Sequence, residues 1–140
     1  MQHHLTLPND INTIPQLGTF VEGICEETGV SMENTMQLNL ALEEAVVNVM
    51  SYAYPEGTTG YVDIDINTVD HRMCIIISDS GKPFDPTTKE EVDITLSAEQ
   101  RPIGGLGIHL IRNIMDEVAY ERKDNRNILT LKKYLPNSLK

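Results

Sequence analysis

A chain of 140 residues, 40% hydrophobic and 23% charged, has the size and composition of one soluble globular domain that buries a core without disulfide or metal staples. Its formal net charge of −10 sets the surface against nucleic acid and anionic membrane, so neither is expected as a partner. No apolar run is long enough to span a bilayer.

The start, MQHHLTLPND, lacks the apolar core of a signal peptide, which predicts a cytoplasmic protein. HHLTL reads as a short first strand ended by Pro8, with His3 and His4 as ordinary strand residues rather than ligands. A first helix follows, with Asn9 or Asp10 as N-cap and Gly29 as its stop. Ile14, Leu17, Val21 and Ile24 fall on one face of it, and Pro15 fits if it lies in the first turn. Ser31 can cap a second helix that runs to about Tyr54, before Pro55 and Gly57. Its apolar stripe is Leu38, Leu42, Ala45, Val49 and Ala53. The two cysteines, Cys25 and Cys74, are far apart among apolar neighbours and read as buried free thiols.

GYVDIDIN then alternates, with Val62, Ile64 and Ile66 on one face and Asp63 and Asp65 on the other. That is a strand with one wet face. MCIIIS reads as a more central strand entering DSGKPFDP. From about Pro86 to Pro102 the pattern fails, and the segment reads as a mobile loop. IGGLGIHLIRNIMDEV opens with three glycines and continues as a helix, with Leu110, Ile111, Ile114, Met115 and Val118 along one side. VAYER and NILTLKKYL read as two strands joined by a turn at Asp124 to Asn127, with Leu129, Leu131 and Leu135 inward. The order predicts an α+β fold: a two-layer α/β sandwich of one mixed, mostly antiparallel sheet with helices on one face.

Three stretches could carry chemistry. In EEAVVN, Glu44 and Asn48 stack one turn apart on a helix face that points largely away from the Leu42/Val49 stripe. That face is either ordinary solvated surface or a carboxylate and an amide held beside a ligand. An Asn carbonyl is a hard oxygen suited to Mg²⁺, and a carboxylate one turn away can take a hydroxyl proton. In DSGKPFD, Asp79 ends a buried strand and can accept from an exocyclic amine such as adenine's, while Gly81 leaves room for a ring. The same residues also suit a plain turn. In IGGLG, Gly104, Gly105 and Gly107 form either a tight turn or a loop whose bare N–H groups meet an anion at a helix N-terminus. It is neither a Walker A loop nor a dinucleotide fingerprint.

The order of these motifs is more specific than any one of them. A helix with ExxxN, a strand ending DxGxPF, a loose loop, then GGLG opening a helix that ends MDEV resembles the GHKL ATPase superfamily. Within it the chain is most similar to the anti-sigma-factor serine/threonine kinases of bacteria, over roughly Leu5 to Leu135. The resemblance implies a Bergerat-type ATP-binding fold in a single domain over residues 1–140, with ATP and Mg²⁺ as cofactors and residues 86–102 as an ATP lid. It implies Glu44 as catalytic base and Asn48 as the Mg²⁺ ligand. Asp79 would receive the adenine amine, with Gly81 beside the ring. Gly104, Gly105, Leu106, Gly107 and Ile108 would lie against the phosphates, with Tyr52 nearby. Arg101 is either a phosphate contact or an ordinary solvated arginine. His109 reads as packing.

The implied partners are a sigma factor, which such kinases sequester, and an anti-anti-sigma (STAS-type) protein, which they phosphorylate. A homodimer is implied as well, since members often act as dimers. The alternative is a catalytically silent ATP-binding module that gates a protein–protein interaction.

Overall fold

The computed structural model describes residues 2–88 and 107–135. Strand β1 (Gln2–Pro8) is followed by a single 3-10 turn, Ile11–Thr13, helix α1 (Ile14–Thr28) and helix α2 (Met32–Tyr52). Strands β2 (Tyr61–Val69) and β3 (Arg72–Asp79), a 3-10 turn at Pro86–Thr88, helix α3 (Gly107–Ile114), and strands β4 (Glu117–Lys123) and β5 (Arg126–Tyr134) complete the described elements.

Local chemistry accounts for the boundaries. Asp10 caps the 3-10 turn by accepting from Asn12 N at 2.9 Å, and α1 begins after it with Pro15 in its first turn. Gly29 ends α1 at φ 80°, where a left-handed residue lets its N–H reach back to the last carbonyls. Ser31 caps α2 by accepting from Asn34 N at 3.2 Å. The β2–β3 and β4–β5 loops are each two residues long. Both of their residues take positive φ: Asp70 and His71 in one, Asp124 and Asn125 in the other. Such turns match the twist of the strands they join.

The five strands order as β1-β2-β3-β5-β4. Every pairing among them is antiparallel, so the sheet expected to be mixed has no parallel ladder among the described residues. Three helices cover one face, with α2 packed against both α1 and α3. The core joins Leu17, Val21 and Ile24 of α1 and Leu38, Leu42 and Val49 of α2 to Ile64, Ile75, Ile77 and Leu131 of the sheet. Each such side chain contributes about 1.5–3 kcal/mol on burial. That is the reserve against which the fold can bury polar groups.

Three expectations need correction. The helix that opens at the glycines ends at Ile114, and Val118 belongs to β4. Its residues DEVAY satisfy strand alternation as well as helical spacing, and pairing with β5 decides the matter. The presumed loop from Pro86 starts as an ordered 3-10 turn: Thr87 N donates to Asp85 at 2.8 Å, and Arg112 of α3 donates to Thr87 O at 2.9 Å. Residues 89–102 of that segment lie outside the described residues. Cys25 is buried as expected, but Cys74 is partly exposed. It alternates with Met73 and Ile75 and so lies on the sheet face that no helix covers.

Candidate functional site

The site is built where the C-terminal half of α2 passes over the end of β3. Alternation along β3 puts Asp79 on the same face as Met73, Ile75 and Ile77, the face under the helices. Asp79 is only 1% exposed. Its Oδ1 accepts from Gly81 N at 2.8 Å and from Asn127 Nδ2 at 2.9 Å. Its Oδ2 is equally buried and has no partner. A half-satisfied buried carboxylate is costly, and native folds rarely keep one without a use. Burial pushes the Asp79 carboxyl above its ordinary range. The donors from Asn127 and Gly81, and the charges of Arg122 and Arg126, pull the other way without cancelling that effect.

The loop after Asp79 is pinned from three sides. Lys82 N donates to Ala53 O at the end of α2, at 2.8 Å. Arg122 of β4 donates to Gly81 O at 2.8 Å. A Cβ on Gly81 would stand 2.4 Å from Ala53 O, so the close approach of α2 already requires the glycine. The sequence reading explained that glycine by a ligand ring. Packing against α2 is the reason visible in the fold. Phe84, later in the same loop, stacks on Tyr52 with ring centroids 5.3 Å apart.

Asn127 holds this loop to β5, a role that its place at the end of the expected turn does not reveal in the sequence. The hairpin turn is tighter, at Asp124 and Asn125, which makes Asn127 a buried strand residue in register with Asp79. Its Nδ2 donates to Asp79 Oδ1 and, at 2.8 Å, to Lys82 O. Its Oδ1 accepts from Phe84 N at 3.1 Å and Tyr120 OH at 2.5 Å. The signal available was register: Ile77 and Leu129 pair as inward residues, which puts Asp79 opposite Asn127. Tyr54 was also missed. Its hydroxyl donates to Tyr61 O at 2.7 Å and accepts from Ser80 N at 3.1 Å.

On α2, Glu44, Asn48 and Tyr52 follow one another at four-residue steps along one side. Glu44 is half-buried, and Asn48 is only 3% exposed. The expectation that this face turns away from the core therefore fails at Asn48. The small residues Ala41 and Ala45 extend the apolar surface round the helix, and α1, α3 and the sheet together enclose it. Helix α3 opens at Gly107, and Ile108 is buried. His109 is half-buried, as a packing role requires. Arg101, Gly104, Gly105 and Leu106 lie outside the described residues. The fold thus brings Tyr52 and the end of α2 against the loop after Asp79, and packs α3 on α2. A cavity of about 690 Å³ includes Gly81, Ala53, Asp63, Ser80 and Arg126 in its walls, but neither Asp79 nor Asn48. No group of three or more metal-ligating His, Cys, Asp or Glu occurs among the described residues.

Residues 7–133 match the histidine kinase-like ATPase domain family. The chain belongs to that family. As an ATPase domain of this type it is 29% identical to the serine-protein kinase RsbW of Halalkalibacterium halodurans over 135 residues, 94% of this chain and 82% of that protein. It is 28% identical to the RsbW of Bacillus subtilis (strain 168) over 120 residues, 82% of this chain and 74% of the relative. The serine/threonine-protein kinase BtrW of Bordetella bronchiseptica is 30% identical over 94 residues, 67% of this chain and 66% of BtrW. Among solved structures, the RsbU and RsbW domains of Rv1364c from Mycobacterium tuberculosis superpose with a TM-score of 0.70 at 15% identity. That match covers 96% of this ATPase domain and 32% of the larger chain, and it supports the fold. No described helix is long and apolar enough to cross a membrane.

Proposed function

We propose that this ATPase domain is a regulatory serine/threonine kinase of the anti-sigma type. It would transfer the γ-phosphate of ATP to a hydroxyl of an anti-anti-sigma (STAS-type) protein and sequester a sigma factor. The observation that carries the nucleotide reading is the buried, unpartnered Oδ2 of Asp79, an acceptor that suits the exocyclic amine of adenine. The buried amide of Asn48 supports it, as a hard oxygen suited to Mg²⁺ one turn from Glu44. The relatives named serine-protein kinases support the phosphotransfer.

Bound Mg-ATP would supply the phosphoryl group and the positive charge that offsets its oxygens. Asp79 would fix the base, Asn48 would hold the metal, and Tyr52 would flank the phosphates. Backbone N–H groups from Gly104 to Ile108, at the start of α3, would stabilise charge on the phosphates. Glu44 would take the acceptor hydroxyl's proton as that oxygen forms its bond to phosphorus and ADP leaves. Residues 86–102 would act as the lid, with Arg101 as a phosphate contact, and the chain would work as a single domain and as a homodimer.

The test is calorimetry with ATP, with and without Mg²⁺, joined to label transfer from radiolabelled ATP to a STAS-type protein. Glu44→Ala should lose transfer by about 10²-fold or more while binding ATP as the wild type does. Asn48→Ala should lose the Mg²⁺-dependent part of binding. Unchanged transfer by Glu44→Ala overturns its role as base. Binding by the wild type with no transfer leaves the silent-module alternative in place of the kinase.

A further inference from the structure

The charge of this protein is divided along its sequence. All of its Lys and Arg residues, 11 in number, lie from Arg72 onward. The hairpin of α1 and α2 is therefore acidic without relief, and Glu22, Glu26, Glu27, Glu33 and Glu43 are all exposed on it. On the same hairpin, α2 carries an apolar stripe that no described residue covers. Met32 is 80% exposed, Met36 67% and Leu40 47%. Steps of four residues place the three side chains along one side of the helix, over about 12 Å of its axis. Beside them a cleft of about 260 Å³ between α1 and α2 includes Glu22, Asn39 and Glu43 in its wall. Asn39 Oδ1 is buried there and has no hydrogen-bond partner. Glu22 accepts from Asn39 Nδ2 at 3.5 Å, so the cleft offers that carboxylate's remaining acceptor sites, the Glu43 carboxylate and an unused carbonyl beside the apolar stripe, a set that fits an ammonium or guanidinium group.

We infer that the outer face of the α1–α2 hairpin docks a basic amphipathic helix of a partner protein. The partner's apolar side would lie along Met32, Met36 and Leu40, and a lysine or arginine would enter the cleft at Glu22, Asn39 and Glu43. Spacing at i, i+4 and i+8 fits a helix laid along a helix. Methionines suit such a surface because their side chains repack around different partners. Charge selects this occupant over the others. A second copy of the chain would bring the same acidic face against itself, and an anionic membrane would be repelled. This surface lies apart from Asp79, and its assignment does not rest on the nucleotide reading.

The probe is a short fluorescein-labelled Lys/Leu peptide patterned as an amphipathic helix, followed by anisotropy. A scrambled peptide of the same composition separates patterned recognition from charge attraction alone. The wild type should bind the patterned peptide at least about tenfold more tightly than the scrambled one, a difference of about 1.4 kcal/mol. The exposed triple variant Met32→Ser/Met36→Ser/Leu40→Ser should lose that preference, with melting temperature and far-UV circular dichroism unchanged. Met36→Ser alone, expected to lose part of it, serves if the triple variant does not fold. Glu22→Gln/Glu43→Gln should weaken binding and flatten its salt dependence. Equal binding of the two peptides overturns the proposal, as does an unchanged preference in the serine variants. A dimer of the wild type in sedimentation that the serine variants turn into a monomer also overturns it, because a second copy then covers the stripe.

Discussion

Asp79 sets stability against function within one side chain. Burial raises its carboxyl above the ordinary value of 3.8, so the native state holds the proton to a higher pH than the unfolded chain does. Its contribution to stability is fully present below 3.8 and is lost as pH rises through the raised native value. Above that raised value the ionised group, with one oxygen unpaired, opposes folding. Asp79→Asn keeps the acceptor that Gly81 and Asn127 use and removes the buried charge. In urea denaturation at pH 7 the variant should be more stable than the wild type. The difference should close as pH approaches 4. The same change turns the free acceptor into a donor, so affinity for ATP should fall about 10- to 100-fold by calorimetry, the scale of a hydrogen bond to a charged group. Asp79 itself was legible in the sequence as a carboxylate ending a buried strand. Its unpaired oxygen was not, because that depends on which neighbours reach it. Asp63 titrates in the opposite sense. Burial would raise it, but bonds from Thr6 and Arg126 outweigh that and lower it, so its contribution is present above 3.8 and lost in acid.

At the scale of elements, the hairpin β4–β5 governs the shape of a loop that belongs to neither strand. Asn127 donates to Asp79 Oδ1 and Lys82 O and accepts from Phe84 N and Tyr120 OH. Asn127→Ala would leave those groups buried without it and should cost about 2–4 kcal/mol in urea denaturation, since one orphaned buried group costs about 1–3 kcal/mol. It should also weaken ATP binding, because the loop that orients Asp79 loses its tie to β5. A substitution that lowers stability by that amount with ATP affinity intact would show the tie to be structural only. The strands and helices themselves were legible: β2 alternates, Ser31 and Gly29 mark helix ends, and Leu17, Val21 and Ile24 repeat at helical spacing. What escaped was contact across elements. Asn127 joins residues 43 to 48 positions away, and the burial of Asn48 depends on other elements packing against α2. Neither leaves a local pattern. The end of α3 escaped for another reason, since DEVAY fits two periods and only pairing with β5 chooses between them.

Over the whole molecule, the candidate site takes its walls from elements remote in sequence: the C-terminal half of α2, the loop after β3, the partner strand β5 and the start of α3. A ligand touching all of them would brace the sandwich at one end, and the stabilisation follows from mass action alone. With Mg-ATP at a hundred times its dissociation constant, the gain is about 2.7 kcal/mol. For a chain of this length that is a rise in melting temperature of about 8–11 °C, at roughly 3–4 °C per kcal/mol. Nucleotide identity makes the measurement decisive. In the proposed site adenine would present an amine donor to Asp79 Oδ2, whereas guanine would present a carbonyl at the same ring position. Two acceptors facing each other in a dry site repel, and neither finds a donor. Mg-GTP should therefore shift the melting temperature by a small fraction of the Mg-ATP value at equal concentration. In Asn48→Ala the shift with ATP in EDTA should match that of the wild type, while the added shift from Mg²⁺ disappears. Equal shifts with ATP and GTP would remove Asp79 from base recognition, and an intact Mg²⁺ increment in Asn48→Ala would move the metal to another residue.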